Sequence, residues 1–117
     1  MKHREFLLPP LYNLEAVSIQ VTTHTGPLTI ISAYLRPNTR LQQDELQLIF
    51  TQNSTLLLGD LNSIHTYWGC RATNINGTRL LTATDNLNIL ISAHITPFYP
   101  SQCNYQPDIL DIALSLY

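Results

Sequence analysis

The segment LLLGDLNSIHTYWG, residues 56–69, decides the predicted fold. It begins inside the apolar run TLLL, residues 55–58, which is too short for a helix. Such a run is typical of a strand buried on both faces in the middle of a sheet. Just past it the chain carries a carboxylate at Asp60 and an amide at Asn62. A connection needs only residues that can turn, so these two side chains are candidates for chemistry at the end of a central strand.

The residues before this segment predict a β-hairpin. In EAVSIQVTT, residues 15–23, the apolar Val17, Ile19 and Val21 alternate with polar residues, which indicates a strand with one buried face. A turn at HTGP separates this strand from LTIISAYL, residues 28–35, where the strand pattern resumes. The two strands are therefore expected to pair in antiparallel fashion.

Helices are predicted on either side of the apolar run. The first covers residues 42–52, with Thr39 as a candidate cap and a core-facing stripe of Leu46, Ile49 and Phe50. Further predictions are a helix over residues 78–87 with Leu80, Leu81, Thr84 and Leu87 inside, strands over residues 88–92 and 108–115, and a proline-broken loop over residues 95–107. This order predicts an α/β or α+β sandwich in which helices pack on sheets.

Length and composition limit the class of protein. A chain of 117 residues is one domain at most, and 44% hydrophobic with 12% charged residues indicates a globular protein. The net charge of -2 gives no basic footprint, so charge alone would hold DNA weakly. Cys70 and Cys103 lack a CxxC spacing and are expected to be free thiols. No signal peptide or membrane span is apparent, which predicts an intracellular protein, nuclear or cytoplasmic.

Three polar residues near the predicted strand ends could carry chemistry. Asp60 could act as a general base or metal ligand, and Asn62 could donate to a phosphate oxygen. The alternative for both is an ordinary turn, and the local pattern does not separate the two. Tyr34 lies near the end of its strand and could hydrogen-bond a phosphate at the same site as Asp60, or it could cover the edge of the core with a hydrated hydroxyl.

Two further residues have a functional and a structural interpretation. Asp111 interrupts the apolar run ILDIAL, and a buried carboxylate needs a partner or a cleft. It could orient a catalytic histidine, or it could be a structural residue on the sheet rim. His65 could contact a substrate, but packing in its own loop, with Trp68 filling the space beneath, is the favoured interpretation.

Four motifs in order resemble a known family. They are AYLRPN (residues 33–38), LLLGDLNSIHTYWG (56–69), NGTRLL (76–81) and PDILDIAL (107–114). Together they resemble the endonuclease domain of non-LTR (LINE-type) retrotransposons. That domain is a branch of the endonuclease/exonuclease/phosphatase superfamily, which includes DNase I and the apurinic-site endonucleases. A phosphatase or an apurinic-site repair enzyme of the same superfamily is a weaker alternative.

The resemblance implies a DNase I-like two-sheet sandwich and Mg²⁺-assisted attack of water on a DNA phosphodiester. By this resemblance Asp60 activates or positions the water, Asn62 and Tyr34 hold the phosphate, and Asp111 orients the catalytic histidine. It also implies fusion to a reverse transcriptase in the full element and no role for a membrane. His65 has no assigned role in the motif and remains a candidate substrate contact.

The chain also departs from the family pattern. The family's Asn and metal-binding Glu precede the strand at residues 15–23, and its closing SDH motif would lie beyond Tyr117. Residues 1–117 are therefore expected to be the central part of one domain, with Asp60 a possible but insufficient Mg²⁺ ligand. We expect this polypeptide alone not to cut DNA and to be poorly soluble. The alternative is an inactive remnant that acts as a binding module.

Overall fold

The computed structural model describes residues 3–5, 8, 11–51, 54–93 and 111–116, and for residues 3–5, 93 and 111 the backbone alone. In this part of the chain six strands form one mixed sheet in the order β1-β2-β3-β4-β6-β5. The elements are β1 (His3–Glu5), β2 (Leu14–Thr23), β3 (Gly26–Leu35), α1 (Gln43–Phe50), β4 (Thr55–Asp60), a 3₁₀ turn (Thr66–Trp68), α2 (Ile75–Leu87), β5 (Ile89–Ala93) and β6 (Asp111–Leu116).

The predicted hairpin and the predicted central strand are both confirmed. Strands β2 and β3 pair in antiparallel fashion along their full length, and the Thr23 hydroxyl donates to the Gly26 carbonyl at 2.6 Å in the turn. Strand β4 pairs in parallel with β3 and antiparallel with β6. A parallel pair needs a crossover, and α1 provides it. The ends of β3 and β4 therefore meet at the same edge of the sheet.

Helix α1 is shorter than the sequence predicts and has a different cap. The prediction of Thr39 as the cap is wrong, because the N-cap residue is Gln42 and it makes no side-chain capping bond. The predicted core stripe is confirmed, since Leu46, Ile49 and Phe50 are all buried.

Glu45, in the first turn of α1, is a buried carboxylate that the sequence analysis did not single out. Its oxygens accept hydrogen bonds from the backbone N–H groups of Tyr12, at 2.5 Å, and Asn13, at 3.1 Å. A buried carboxylate is tolerated when such donors satisfy it. Glu45 therefore ties the start of β2 to α1.

Helix α2 begins three residues earlier than predicted because Asn74 caps it. The Asn74 Oδ1 accepts the Gly77 N–H at 2.6 Å, which satisfies a donor that the helix itself leaves unpaired. Of the predicted inner face, Leu80 and Thr84 are buried, while Leu81 and Leu87 are partly buried against the core. The helix ends at Asn88, which adopts the left-handed conformation.

The two faces of the sheet differ in cover. The helix-covered face packs against α1 and α2 and carries the buried side chains Leu14, Ile31, Ala33, Leu35, Leu57, Ile112 and Leu114. The open face carries Val17, Ile19, Ile30, Leu56, Leu58 and Leu90. Neither helix packs on this face, and Val17 is 72% and Leu58 42% exposed there, although Val21 near the hairpin turn is buried.

Two sequence predictions therefore need correction. The run at residues 55–58 is buried on one face only, because both helices pack on the same side of the sheet. In β2 the buried positions are Leu14, Ser18 and Val21, while Val17 and Ile19 point to the open side. The described residues thus contribute a single sheet to the predicted sandwich.

Several smaller predictions have mixed outcomes. The last two strands are confirmed with shifted bounds, as β5 and β6. Cys70 is a buried thiol. The predicted loop at residues 95–107, including Cys103, lies outside the described residues. In the described part of the chain no helix is long and apolar enough to cross a membrane.

Candidate functional site

Three of the predicted site residues are neighbours across the sheet. Tyr34 on β3 is in register with Asp60 on β4, and Asp60 is in register with Asp111 on β6. We call these three positions the site row. Because neighbouring strands lie about 4.8 Å apart, the row spans about 10 Å. Tyr34 lies at one end of the open face and is 43% exposed.

Gly59 sets how closely β3 and β4 approach beside this row. Its φ is +150°, and a Cβ at this position would lie 1.8 Å from the carbonyl oxygen of Ala33. Only glycine tolerates both this conformation and this contact. Gly59 therefore allows β4 to bring Asp60 alongside Tyr34.

A tight turn links Asp60, the last residue of β4, to Asn62. The Asn62 N–H donates to the Asp60 Oδ1 at 2.8 Å, and Asn62 adopts a left-handed φ of 46°. The Asn62 Nδ2 donates to the Leu35 carbonyl, at the end of β3, at 2.5 Å. One Asn62 amide hydrogen and the second Asp60 carboxylate oxygen make no hydrogen bond to the described residues, so both can meet a ligand.

Asn74 fixes this turn from the other side, and sequence reasoning missed it. Its Nδ2 donates to the Asn62 carbonyl at 2.8 Å, and its Oδ1 accepts the Ile64 N–H at 3.1 Å as well as the Gly77 N–H. Gly77 permits the contact, because a Cβ there would lie 1.8 Å from the Ile64 carbonyl oxygen. The available signal was an asparagine three residues before a glycine at a helix start. Asn74 therefore joins α2 to the candidate site.

His65 packs in its own loop, as the structural interpretation favoured. Its Nδ1 accepts the Tyr67 N–H at 2.9 Å, which puts the ring proton of the neutral form on Nε2. The ring centroid lies 5.2 Å from that of Trp68, and Trp68 is buried beneath the loop. His65 is thus oriented by Tyr67 and Trp68, with Nε2 as its remaining polar atom.

The described side chains do not fit a magnesium ion by themselves. Among them no three His, Cys, Asp or Glu residues lie close enough together to hold a metal. One Asp60 oxygen already accepts the Asn62 N–H. Because Mg²⁺ requires near-octahedral oxygen ligands, Asp60 can be one ligand and cannot form the site alone.

An ion pair between Glu15 and Arg36 lies next to Tyr34, at the other end of the site row. Glu15 on β2 is in register with Tyr34, and its carboxylate lies 3.6 Å from the Arg36 guanidinium. Both side chains are mostly exposed, so this pair contributes little to stability. The pair does offset the positive charge of Arg36 next to the tyrosine.

Comparison with known proteins shows the family and the fold of the chain. The family model described as "Endonuclease-reverse transcriptase" matches residues 28–116. A solved structure, "Endonuclease domain of TRAS1, a telomere-specific non-LTR retrotransposon", superposes with a TM-score of 0.68 at 17% identity. The match covers 89% of this chain and 50% of that one, so the chain spans half the length of the solved domain. No curated protein matches. The chain therefore belongs to the endonuclease-reverse transcriptase family and has the DNase I-like fold of retrotransposon endonucleases.

Proposed function

We propose that this chain is the central part of an endonuclease domain that hydrolyses DNA phosphodiester bonds in a non-LTR retrotransposon. The observation that carries the proposal is the register of Tyr34, Asp60 and Asp111. Asn62, hydrogen-bonded to Asp60, joins them at the same edge of the sheet. Strand ends of this kind are where open sheets bind ligands.

The side chains suggest complementary roles in attack by water on a phosphate. The second oxygen of Asp60 accepts a proton from the water or positions it. Asn62 donates its remaining amide hydrogen to a phosphate oxygen, and the hydroxyl of the exposed Tyr34 donates to another. The water oxygen bonds to phosphorus, the phosphorus–oxygen bond to the leaving strand breaks, and the leaving oxygen takes up a proton from solvent. The resulting nick would prime reverse transcription in a full element. His65 contributes at most a substrate contact through Nε2.

We further propose that catalysis needs groups beyond those described. Asp111 orients a catalytic histidine supplied from elsewhere in the full domain. The Mg²⁺ that the family uses would need carboxylate ligands in addition to Asp60, because the described residues contain no cluster of three ligands. In the intact element the DNA-cutting domain would be fused to a reverse transcriptase, as the family description indicates.

A segment swap tests the proposal. Residues 28–116 replace the matching segment of the TRAS1 endonuclease domain, and nicking of supercoiled plasmid is measured with Mg²⁺. We expect the chimera to nick and the 117-residue chain alone not to. Asp60→Asn in the chimera keeps an oxygen for the Asn62 N–H, yet should lower the rate at least about 100-fold by removing the proton acceptor.

Asp85→Asn is the matched control, since Asp85 is an exposed carboxylate on α2 and should leave the rate unchanged. A folded chimera that does not nick, or one that nicks equally well with Asp60→Asn, would contradict the proposal. A chimera that binds DNA without cutting it would favour the second candidate, an inactive binding module. The missing ligand cluster among the described residues is the observation that keeps this candidate open.

A further inference from the structure

The sequence contains a single Asn-Gly pair, Asn76-Gly77, which lies in the first turn of α2 and has no role in the chemistry proposed above. Asparagine is one of the chemically labile residues that heat-stable proteins carry less of. It is most reactive when glycine follows, because glycine has no Cβ to hinder attack by its backbone nitrogen. Whether this pair reacts therefore depends on how the fold holds it.

Both members of the pair are required by the packing around them. The Asn76 Nδ2 donates to the Thr39 carbonyl at 2.7 Å, and the Asn76 Oδ1 accepts the Leu41 N–H at 2.8 Å. A Cβ on Gly77 would lie 1.8 Å from the Ile64 carbonyl oxygen. A change at either position would cost a contact, so the fold retains a reactive pair here.

The same contacts keep the pair unreactive while the helix is closed. The Gly77 N–H, which is the attacking group, donates to the Asn74 Oδ1 at 2.6 Å. The Asn76 amide is held against the loop after β3, whereas the reaction needs the Gly77 nitrogen to approach the Asn76 Cγ. The reaction therefore requires this end of α2 to open, which costs less free energy than unfolding the whole chain.

We propose that Asn76 is a site of spontaneous deamidation that reacts only when the start of α2 opens. The Gly77 nitrogen then bonds to the Asn76 Cγ, the Cγ–Nδ2 bond breaks, and ammonia leaves with the proton of the Gly77 N–H. Water opens the resulting five-membered imide at either of its carbonyls, which leaves aspartate or isoaspartate at position 76. Neither step needs a cofactor.

The modification would reach the candidate site through Asn74. Aspartate at position 76 cannot donate to the Thr39 carbonyl, and isoaspartate adds a methylene to the backbone just before the Gly77 N–H that Asn74 caps. The Nδ2 of the same Asn74 side chain donates to the Asn62 carbonyl at 2.8 Å. Deamidation at position 76 thus loosens the contact that holds the turn after β4.

Ageing of the 117-residue chain, followed by trypsin digestion and mass spectrometry, measures the reaction without DNA. The tryptic peptide of residues 72–79 contains the pair, and the exposed Asn38, which precedes the β-branched Thr39, is an internal reference. In concentrated urea Asn76 should deamidate at least about tenfold faster than Asn38, because the threonine side chain hinders attack. In native buffer the rate at Asn76 should fall at least about tenfold below its rate in urea.

Three variants test whether the helix cap controls the reaction. Asn74→Ala removes the cap and should raise the rate at Asn76 in native buffer roughly tenfold, while the rate in urea stays unchanged. Asn74→Asp keeps an acceptor for the Gly77 N–H and should stay within about threefold of the wild type. Thr82→Ala is the matched control, since Thr82 is exposed on the same helix and should leave both rates unchanged.

The link to the candidate site is tested with Asn76→Asp, which reproduces one product of the reaction. The NMR signals of the Asn62 and Asn74 amides should shift, whereas Thr82→Ala should leave them in place. Unchanged signals of Asn62 would overturn the link.

The deamidation site itself can fail in several ways. Equal rates at Asn76 in native buffer and in urea, or a rate in urea no higher than that of Asn38, would overturn the proposal. An unchanged rate in folded Asn74→Ala would do the same. If Asn74→Ala does not fold, Asn74→Asp decides, because loss of protection in that folded variant would contradict control by the cap. None of these results depends on nicking, so the inference and the nuclease proposal can fail separately.

Discussion

The two faces of the sheet differ in how deeply their side chains are buried, although both are formed by the same strands. On the helix-covered face, Leu57 is fully buried and packs with Ile31 and Leu114. Its neighbour Leu58 lies on the open face and is 42% exposed. The covered face holds the hydrophobic core, whereas the open face combines exposed apolar side chains with the site row at one end. Stability and proposed chemistry thus lie on opposite faces of the sheet.

This difference shows what an apolar run in a strand can and cannot reveal. Each Leu in the run is equally hydrophobic, so the sequence gives no reason to bury one and expose the next. Leu57 is buried because α1 and α2 pack on its face of the sheet, and Leu58 is exposed because they do not pack on the other face. Changes on the two faces should therefore have very different costs, which a pair of leucine variants tests directly. Two further comparisons test the close approach of β3 and β4 and the link from α2 to the site, and the three follow from the largest expected effect to the smallest.

Gly59→Ala should have the largest effect. The new Cβ would lie 1.8 Å from the Ala33 carbonyl oxygen at a φ that side chains rarely adopt, so β4 must move away from β3. We expect the free energy of unfolding to fall by more than about 4 kcal/mol, or folding to fail. Gly26→Ala is the control: its φ is +121° but nothing lies within 4 Å of the new Cβ, so strain alone should cost about 1–3 kcal/mol. Urea denaturation measures both, and similar losses would contradict the close strand approach.

Leu57→Ala and Leu58→Ala compare the two faces directly with the same chemical change in adjacent residues. Leu57→Ala leaves a cavity in the core and should lower the free energy of unfolding by about 2–5 kcal/mol. Leu58→Ala removes a side chain that is 42% exposed and should lower the free energy of unfolding by about 0.5 kcal/mol or less. A comparable loss for both variants in chemical denaturation would mean that the open face is covered in solution.

Asn74→Ala should have the smallest effect of the three, because it removes a helix cap and a link to the site without opening the core. We expect a loss of about 1–2 kcal/mol. Asn74→Asp is the matched variant. It keeps the acceptor for Gly77 and adds a favourable charge at the helix start, but it cannot donate to the Asn62 carbonyl. Its melting temperature should stay near that of the wild type while NMR shifts of Asn62 change; unchanged shifts would refute the link.

Much of the fold follows from local patterns in the sequence. The hairpin, the central strand and the buried stripe of α1 all depend on neighbours in sequence, and the structure confirms them. The choice of buried face in β2 was not predictable, because Leu14 is buried in a core cluster that includes residues of both helices, which lie far away in sequence. The contact of Glu45 with the residues before β2 was not predictable either, because it joins positions that are far apart in sequence.

The candidate site was partly predictable for a related reason. Tyr34, Asp60, Asn62 and Asp111 were singled out as polar residues at strand ends, and the strand register brings three of them into one row. Asn74 was missed, because its hydrogen bonds to Asn62 and Ile64 form only in the folded chain. Polar residues at strand ends carry a sequence signal, whereas contacts between loops do not.

The parallel pairing of β3 with β4 has a consequence for the order of folding. The β2–β3 hairpin can close locally, but Tyr34 meets Asp60 only after α1 has docked, and Asp111 joins from still farther along the chain. Closing such long loops is slow compared with forming a hairpin. The reactive groups should thus assemble late, and pulsed hydrogen exchange during refolding should find β2 and β3 protected before β4. Simultaneous protection of all three strands would refute this order.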